Sequence, residues 1–415
     1  MTERKAILVY GYPSRDKGRR DYAIEECLSL CDAAGIEAVQ VIVQQTDHPD
    51  PRIFFHRGKV EEIRSAAQYH EADLIVAGMR MSWASARRLA EEAGYPVMDR
   101  TELILEIFSM RADSRPSQIQ VEIAALRHRL SSVNESGDTA EHSRGGTSRN
   151  RGAGEIRSVQ LRREYAARIK ELNRQLAKLE RAESSAQHRR RRSLLRRAAL
   201  VGYTNSGKSS FMNRVLQMCS HPGTEVLEED QLFATLDTSV RNVRWGMQHF
   251  LLYDTVGFVS DLPHELVESF RSTLQSVREA DLLIHIIDVS DPQYEEKTRV
   301  CEQTLEEIGA DGIPVLRVYN KADKLKEETD CTPLVSCRTG EGMDTVLQVI
   351  TDTLYPEETV FECLVPYSKG DLLHRAAQMI HIDILEENNE GYHIRVRGPE
   401  QLSGMLKEYR IEEKP

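Results

Sequence analysis

The chain has 415 residues, too many for one compact core, and ordinary domain sizes divide it into about two to four units. Its 40% hydrophobic and 29% charged content is that of a globular protein, and no stretch reaches the ~18 uninterrupted apolar residues of a membrane span. The formal net charge of −11 argues at first sight against a nucleic-acid partner, yet residues 144–197 hold 17 Lys and Arg against 5 Asp and Glu, a net of +12 that leaves −23 for the remainder.

The amino terminus has no long apolar region before a cleavage-like site, and the seven cysteines form no CxxC pair. A cytoplasmic, reducing location without a disulfide framework or structural zinc is therefore expected. Residues 1–112 alternate short apolar runs with helical patterns. Ile7-Leu8-Val9-Tyr10, Val39-Gln40-Val41-Ile42-Val43 and Leu74-Ile75-Val76-Ala77 predict strands, with helices near 19–34, 58–71, 82–93 and 99–111. Strands alternating with helices imply a parallel α/β sheet. Cys27 and Cys31 share one helical face and are expected in its core. No nucleotide fingerprint is legible in this domain.

Residues 113–188 form the next region, in which the pattern is helix only from 116 to 133 and helical again from 155 to 183. Ile119, Ile123, Leu126 and Leu130 form one apolar stripe, and Tyr165, Ile169, Leu172, Leu176 and Leu179 form another. Between them, residues 134–154 break all periodicity and contain Gly137, Gly145, Gly146, Gly152 and Gly154 with Arg144, Arg149 and Arg151. An antiparallel helical hairpin with a Gly/Arg-rich tip loop is predicted. Residues 189–197, rich in arginine from Arg189 to Arg192 and at Arg196-Arg197, predict a basic linker. A second α/β unit follows over 198–356, and residues 357–415 predict a small α+β domain in the order strand, helix, strand, strand, helix.

The second unit carries the chemistry. A short apolar run, Ala198-Ala199-Leu200-Val201, enters Gly202-Tyr203-Thr204-Asn205-Ser206-Gly207-Lys208-Ser209, and a helical pattern follows from Ser210. This is GxxxxGK[ST] between a strand and a helix, a loop whose amides wrap a phosphate chain. Lys208 is expected on the β and γ phosphates, and Ser209 on Mg²⁺. Downstream, Phe250-Leu251-Leu252-Tyr253 ends in Asp254-Thr255-Val256-Gly257, which places a carboxylate near the metal and the Gly257 amide near a γ phosphate. Leu282 to Asp288 and Val315 to Tyr319 predict buried strands. The second ends in Asn320-Lys321-Ala322-Asp323, and Ser336-Cys337-Arg338 form a further loop. The Asp323 carboxylate accepts two hydrogen bonds from guanine N1 and N2, whereas adenine offers no matching donors, so the expected ligand is GTP or GDP. His285 lies in an apolar run and is expected as a core residue. Between the phosphate loop and DxxG lies Phe233-Ala234-Thr235-Leu236-Asp237. Thr235 is the candidate that closes on Mg²⁺, with Thr224 and Thr238 as competitors.

These residues carry a resemblance. Phe233 to Asp237, Asp254 to Phe258 with Asp261-Leu262-Pro263, and Phe270-Arg271-Ser272-Thr273-Leu274 resemble the FATLD, DTVGFxxDLP and FRSTL segments of the HflX family, within the Obg–HflX group of translation-factor-related GTPases. Outside that unit, Gly58-Lys59-Val60-Glu61-Glu62, Asp99-Arg100-Thr101 with Leu103 to Phe108, Gln120-Val121-Glu122 and Arg151-Gly152-Ala153-Gly154-Glu155 are similar to further family segments. This chain departs from the pattern at Ala153 and Thr238, where the family has proline, at Ser158 to Arg163 and Leu130 to Val133 in the hairpin, and at Ser336-Cys337-Arg338 in place of SAK. The resemblance implies a GTPase that binds the large ribosomal subunit and separates stalled or idle ribosomes under stress. It implies a hairpin tip laid against ribosomal RNA, with Arg144, Arg149 and Arg151 as contacts; Arg pairs phosphates and Gly permits close approach. Lys208, Thr235 and Gly257 are the candidate catalytic residues. Phe258 stands where many GTPases have a water-orienting Gln and is expected to pack into the switch. Asn205 resembles the position that holds K⁺ in potassium-activated GTPases, and it is equally a turn-former. A monomer is expected. The alternatives are an RNA-binding nucleotide switch and a large-subunit assembly GTPase.

Overall fold

The computed structural model describes residues 4–141, 151–191, 195–219, 239–246, 248–255, 257–258, 275–325, 329–356, 358–377, 380–399 and 404–411. The chain divides into two compact units, the first containing Met1–Glu183 and the second beginning at Ser184.

The first unit opens with β1 (Arg4–Tyr12), α1 (Arg20–Ala33), β2 (Ile36–Gln45), α2 (Arg57–Tyr69), β3 (Leu74–Ala77), α3 (Trp83–Ala93), β4 (Val97–Met98) and α4 (Arg100–Arg111). The sheet order is β2-β1-β3-β4, parallel throughout. Every residue of β3 is buried, which explains its unbroken apolar run: helices cover both faces of such a sheet. The two-residue β4 was not predicted, because so short a pairing leaves no periodicity. Cys27 and Cys31 pack in the core as expected, beside a buried ion pair in which Arg100 Nη2 meets Glu26 Oε2 at 2.6 Å. Asp99 caps α4 by accepting from Glu102 N (2.9 Å), and Glu102 Oε2 accepts from Asp99 N (3.4 Å), so the Asp-Arg-Thr-Glu run is a capping box.

Two long helices follow, α5 (Arg115–Glu141) and α6 (Arg151–Arg191). Ile119, Ile123 and Leu126 pack against Leu172, flanked by Tyr165, Ile169, Leu176 and Leu179, so the two apolar stripes do meet. Arg168 and Glu122 add an ion pair at 2.7 Å. The helices extend further than predicted, to Glu141 and back from Arg151. Backbone hydrogen bonds propagate a helix beyond its apolar stripe, so the end of the stripe is not the end of the helix. Of the tip arginines, Arg144 and Arg149 lie outside the described residues, and Arg151 is the first residue of α6.

The expected linker over 189–197 is corrected on both sides. α6 continues to Arg191, and β5 (Arg196–Val201) begins two residues before the apolar run. Arg196 and Arg197 join the strand because acids just ahead of the neighbouring strand match them, Asp281 at 2.8 Å and Glu279 at 3.3 Å. The second unit continues through α7 (Lys208–Met218), β6 (Ser239–Trp245), β7 (Gln248–Asp254), α8 (Gln275–Arg278), β8 (Leu282–Asp288), α9 (Tyr294–Glu307), β9 (Val315–Asn320) and α10 (Met343–Leu354). Its sheet order is β6-β7-β5-β8-β9, parallel except for the β6 edge. β6 was not predicted: Arg241, Asn242 and Arg244 are too polar for a buried strand, but an antiparallel edge tolerates them.

β10 (Glu358–Val365), α11 (Gly370–Ala377), β11 (His381–Glu387) and β12 (Tyr392–Pro399) complete the chain, with an antiparallel sheet ordered β10-β12-β11. The expected last helix is a 3₁₀ turn, Gly404–Tyr409. This module belongs to the same compact unit as the preceding sheet: Cys363, Val365, Ile394, Val396 and Leu406 join one core with Leu200, Phe211 and Ile284. Pro366 is the N-cap of a 3₁₀ turn, Tyr367–Lys369, that leads into α11. Among the described residues, no helix is long and apolar enough to cross a membrane.

Candidate nucleotide site

In the second sheet, the chain leaves the C-terminal end of β5 and passes directly into the Gly202–Lys208 loop and α7. β7 lies on one side of β5 and β8 on the other, so the loop stands where the connections reverse direction, the usual place for a ligand in an open parallel sheet. Gly207 is at φ 95°, a left-handed conformation, and a Cβ there would collide with Asn320 Nδ2. Asn205 also adopts a positive φ, 60°, as Asn tolerates in tight turns.

Three further segments converge on this loop. Asn320, at the end of β9, donates through Nδ2 to Ser206 O (2.9 Å) and accepts through Oδ1 from Cys337 N (3.1 Å). The Lys321 ammonium donates to Asn205 O (2.8 Å) and lies 2.7 Å from Asp288 Oδ2. The part played by Asp288 was not predicted; a carboxylate ending a buried strand was its only sequence signal. Asp323 accepts from Ser336 Oγ (2.7 Å) and has the Arg338 guanidinium at 3.2 Å. The Ser336 hydroxyl chiefly, and then the Arg338 charge, hold its carboxyl below the usual range, so it is an anion ready to accept. NKxD and the Ser-Cys-Arg loop are thus one cluster anchored to the phosphate loop.

The DxxG segment reaches the same loop. Thr204 N donates to Phe258 O (2.7 Å) and Phe258 N donates to Gly202 O (3.0 Å), a short parallel bridge. Phe258 is 2% exposed, so its ring is buried, and the switch segment it was expected to pack into lies outside the described residues. Gly257 is pressed close: a Cβ there would lie 2.8 Å from Lys208 Nζ and 2.9 Å from Thr204 Cα. The Thr255 hydroxyl donates to Leu200 O (2.6 Å), so its side chain serves the sheet. The Tyr203 ring is covered by the Lys297 ammonium at 4.8 Å from its centroid. Ser210 lies in the first turn of α7. Phe233, Ala234, Thr235, Leu236, Asp237 and Val256 lie outside the described residues, as do Thr224 and Thr238.

Lys208 is buried, with Nζ donating to Tyr203 O (2.9 Å) and Gly202 O (3.2 Å). Burial pushes its pKa down to about 8, against the opposing pull of Asp254. Such a cation at the end of a loop of amides is placed to meet phosphate oxygens, whose charge would raise its pKa. Ser209 Oγ donates to Asp254 Oδ2 at 2.8 Å, so a hydroxyl and a carboxylate converge at the start of α7. Two hard oxygens at this spacing fit a Mg²⁺ ion. His285 is 1% exposed, and burial, with the Arg317 and Lys208 charges, pushes its pKa down to about 4. It is a neutral core residue, as predicted.

A phosphate loop, a strand-end DxxG and an NKxD cluster at the ends of neighbouring parallel strands define a P-loop GTPase. The comparisons narrow the class. Family models described as GTP-binding GTPase N-terminal, GTP-binding GTPase Middle Region and 50S ribosome-binding GTPase match residues 21–109, 111–192 and 197–321. GTPase HflX of Alkalihalophilus pseudofirmus is 35% identical over 417 residues, covering 98% of this chain and 97% of the relative. GTPase HflX of Escherichia coli (strain K12) is 35% identical and covers 91% of this chain and 89% of the relative. The chain belongs to the HflX family of GTPases, and it binds and hydrolyses GTP.

Proposed function

We propose that this GTPase acts on the large ribosomal subunit and separates stalled or idle ribosomes under stress. The observation that carries the reading is a long basic hairpin joined to a GTPase: α6 alone bears Arg162, Arg163, Arg168, Lys170, Arg174 and Lys178 in an otherwise acidic chain. Arginines at the tip would pair RNA phosphates while the acidic remainder is repelled, which orients docking. The match of residues 197–321 to a 50S ribosome-binding GTPase model supports the same partner.

In this reading the phosphate-loop amides and Lys208 bind the β and γ phosphates, and Asp323 with the 336–338 loop selects guanine. Ser209 and Asp254 would hold Mg²⁺ together with Thr235. The ion supplies charge that offsets the phosphate oxygens. Phe258 carries no group that orients water. Hydrolysis therefore rests on Lys208, the Gly257 amide and a partner that orders the switch segments, and unassisted turnover is slow. The Asn205 amide oxygen would hold K⁺ as a further positive charge. GTP turnover measured with and without purified large subunits, for the whole chain and for one lacking 142–150, tests the reading. Strong stimulation that the deletion abolishes is expected; no stimulation refutes it. Sedimentation of intact ribosomes with protein and GTP tests splitting, which an unchanged subunit ratio excludes. Equal rates in KCl and NaCl, with and without ribosomes, exclude the K⁺ role. Phe258 also favours a second reading, a nucleotide-controlled RNA-binding switch. RNA affinity that differs between GTP and GDP states without ribosome-stimulated turnover would select it.

A further inference from the structure

One side chain outside every motif ties the two halves of the nucleotide site together. Arg214 stands on α7, the helix that issues from the phosphate loop, and faces the loop after Ser336. Its Nε donates to Cys337 O at 2.7 Å, and its Nη2 donates to Arg338 O. Gly340 packs against the same guanidinium: a Cβ there would meet Arg214 Cζ at 3.9 Å. On the far side of that loop, Cys337 N donates to Asn320 Oδ1, and Asn320 Nδ2 donates to Ser206 O. The hydrogen bonds close a ring that runs from α7 through Arg214 to the base loop, through Asn320 to the phosphate loop, and back into α7.

We propose that Arg214 is a positioning residue for base recognition. Its planar fork engages two successive carbonyls, which a single ammonium cannot hold in the same geometry. Pulling the Cys337 and Arg338 carbonyls toward α7 fixes the height of the loop over the base and keeps Ser336 within reach of Asp323. Without the guanidinium, the loop loses its hydrogen bonds to α7 and keeps those on the side of Asn320 and Asp323. Arg214 acts through the loop, by way of its bonds to the Cys337 and Arg338 carbonyls. The inference rests on the reading of Asp323 and residues 336–338 as the guanine site.

The test is calorimetry on the full-length chain with Mg²⁺, using GDP and inorganic pyrophosphate, for the wild type, Arg214→Ala and Arg214→Lys. Loss of two charge-assisted hydrogen bonds from the base loop is expected to weaken GDP binding about tenfold in Arg214→Ala, with pyrophosphate binding unchanged. Arg214→Lys is expected between the two. Unchanged GDP affinity in Arg214→Ala overturns the proposal, and so does equal weakening of GDP and pyrophosphate, which would make Arg214 a support of the phosphate loop alone. Asp323→Asn, run in parallel with GDP and xanthosine diphosphate, separates the premises. If it does not shift preference toward xanthine, the guanine-site reading itself fails. If it shifts preference while Arg214→Ala binds GDP normally, only the Arg214 inference fails.

Discussion

The two parallel sheets are built alike and do different things at the same point. In the second, the reversal of connections lies between β5 and β8, and a glycine-rich loop leaves β5 there with its amides available to phosphate. In the first, the reversal lies between β1 and β3. The end of β1 is filled by the protein itself: Phe54, at a positive φ of 78°, lays its ring so tightly on Gly11 that no Cβ fits. The neighbouring Phe55 is 1% exposed and stacks edge-on with Phe54, ring centroids 5.4 Å apart. Sheet topology therefore offers a crevice in both domains, and the residues that leave the central strand decide what can approach its end.

That contrast can be broken by experiment. The largest effect is expected from Lys208→Ala, which removes the only cation buried in the phosphate loop among the described residues. GTP turnover, measured by phosphate release, should fall by about 10²–10³. Phe54→Ala should act on the first sheet alone, costing about 2 kcal/mol of stability in denaturant melts. Guanine-nucleotide affinity should stay unchanged, and any new nucleotide binding to that variant would break the comparison. A pH series sharpens it further. Because burial lowers the Lys208 pKa to about 8, the ammonium must be recharged when a phosphate binds at higher pH. Nucleotide affinity should be level below pH 8 and roughly tenfold weaker at pH 9 than at pH 7, as expected of one titrating group. The same lowered pKa makes the empty protein gain stability as pH rises from 8, since the unfolded chain then binds the extra proton. The smallest effect is expected from Arg196→Ala at the opposite end of β5. Its partly exposed pair with Asp281 is worth at most about 1 kcal/mol in melting experiments, and nucleotide binding should not respond.

The legible and illegible parts of the site differ in kind. Gly202 to Ser209, Asp254 to Gly257 and Asn320 to Asp323 are contiguous runs whose residue types are demanded by phosphate, metal and base, so their order sufficed. Arg214 and Asp288 are single side chains on regular elements. Their roles exist only because α7 and β8 bring them to the 336–338 loop and to Lys321, and no local pattern marks such a meeting. The same holds for β4 and β6, edge pairings that depend on a neighbour rather than on their own residues.

The sequence by itself determined the alternation of strands and helices, the two apolar stripes of the hairpin, the GTP motifs and the separation of basic from acidic regions, because each is a periodicity, a composition or a contiguous run. Only the tertiary structure decided that the helices outlast their stripes and that Arg196 and Arg197 belong to a strand. It also decided that the last module shares a core with the GTPase sheet, that Phe54 packs on Gly11 at the end of β1, and that one arginine joins the phosphate helix to the 336–338 loop. Each of these is a contact between residues far apart in the chain, and burial, charge pairing and hydrogen-bond geometry settle such contacts only once the fold has brought the partners together.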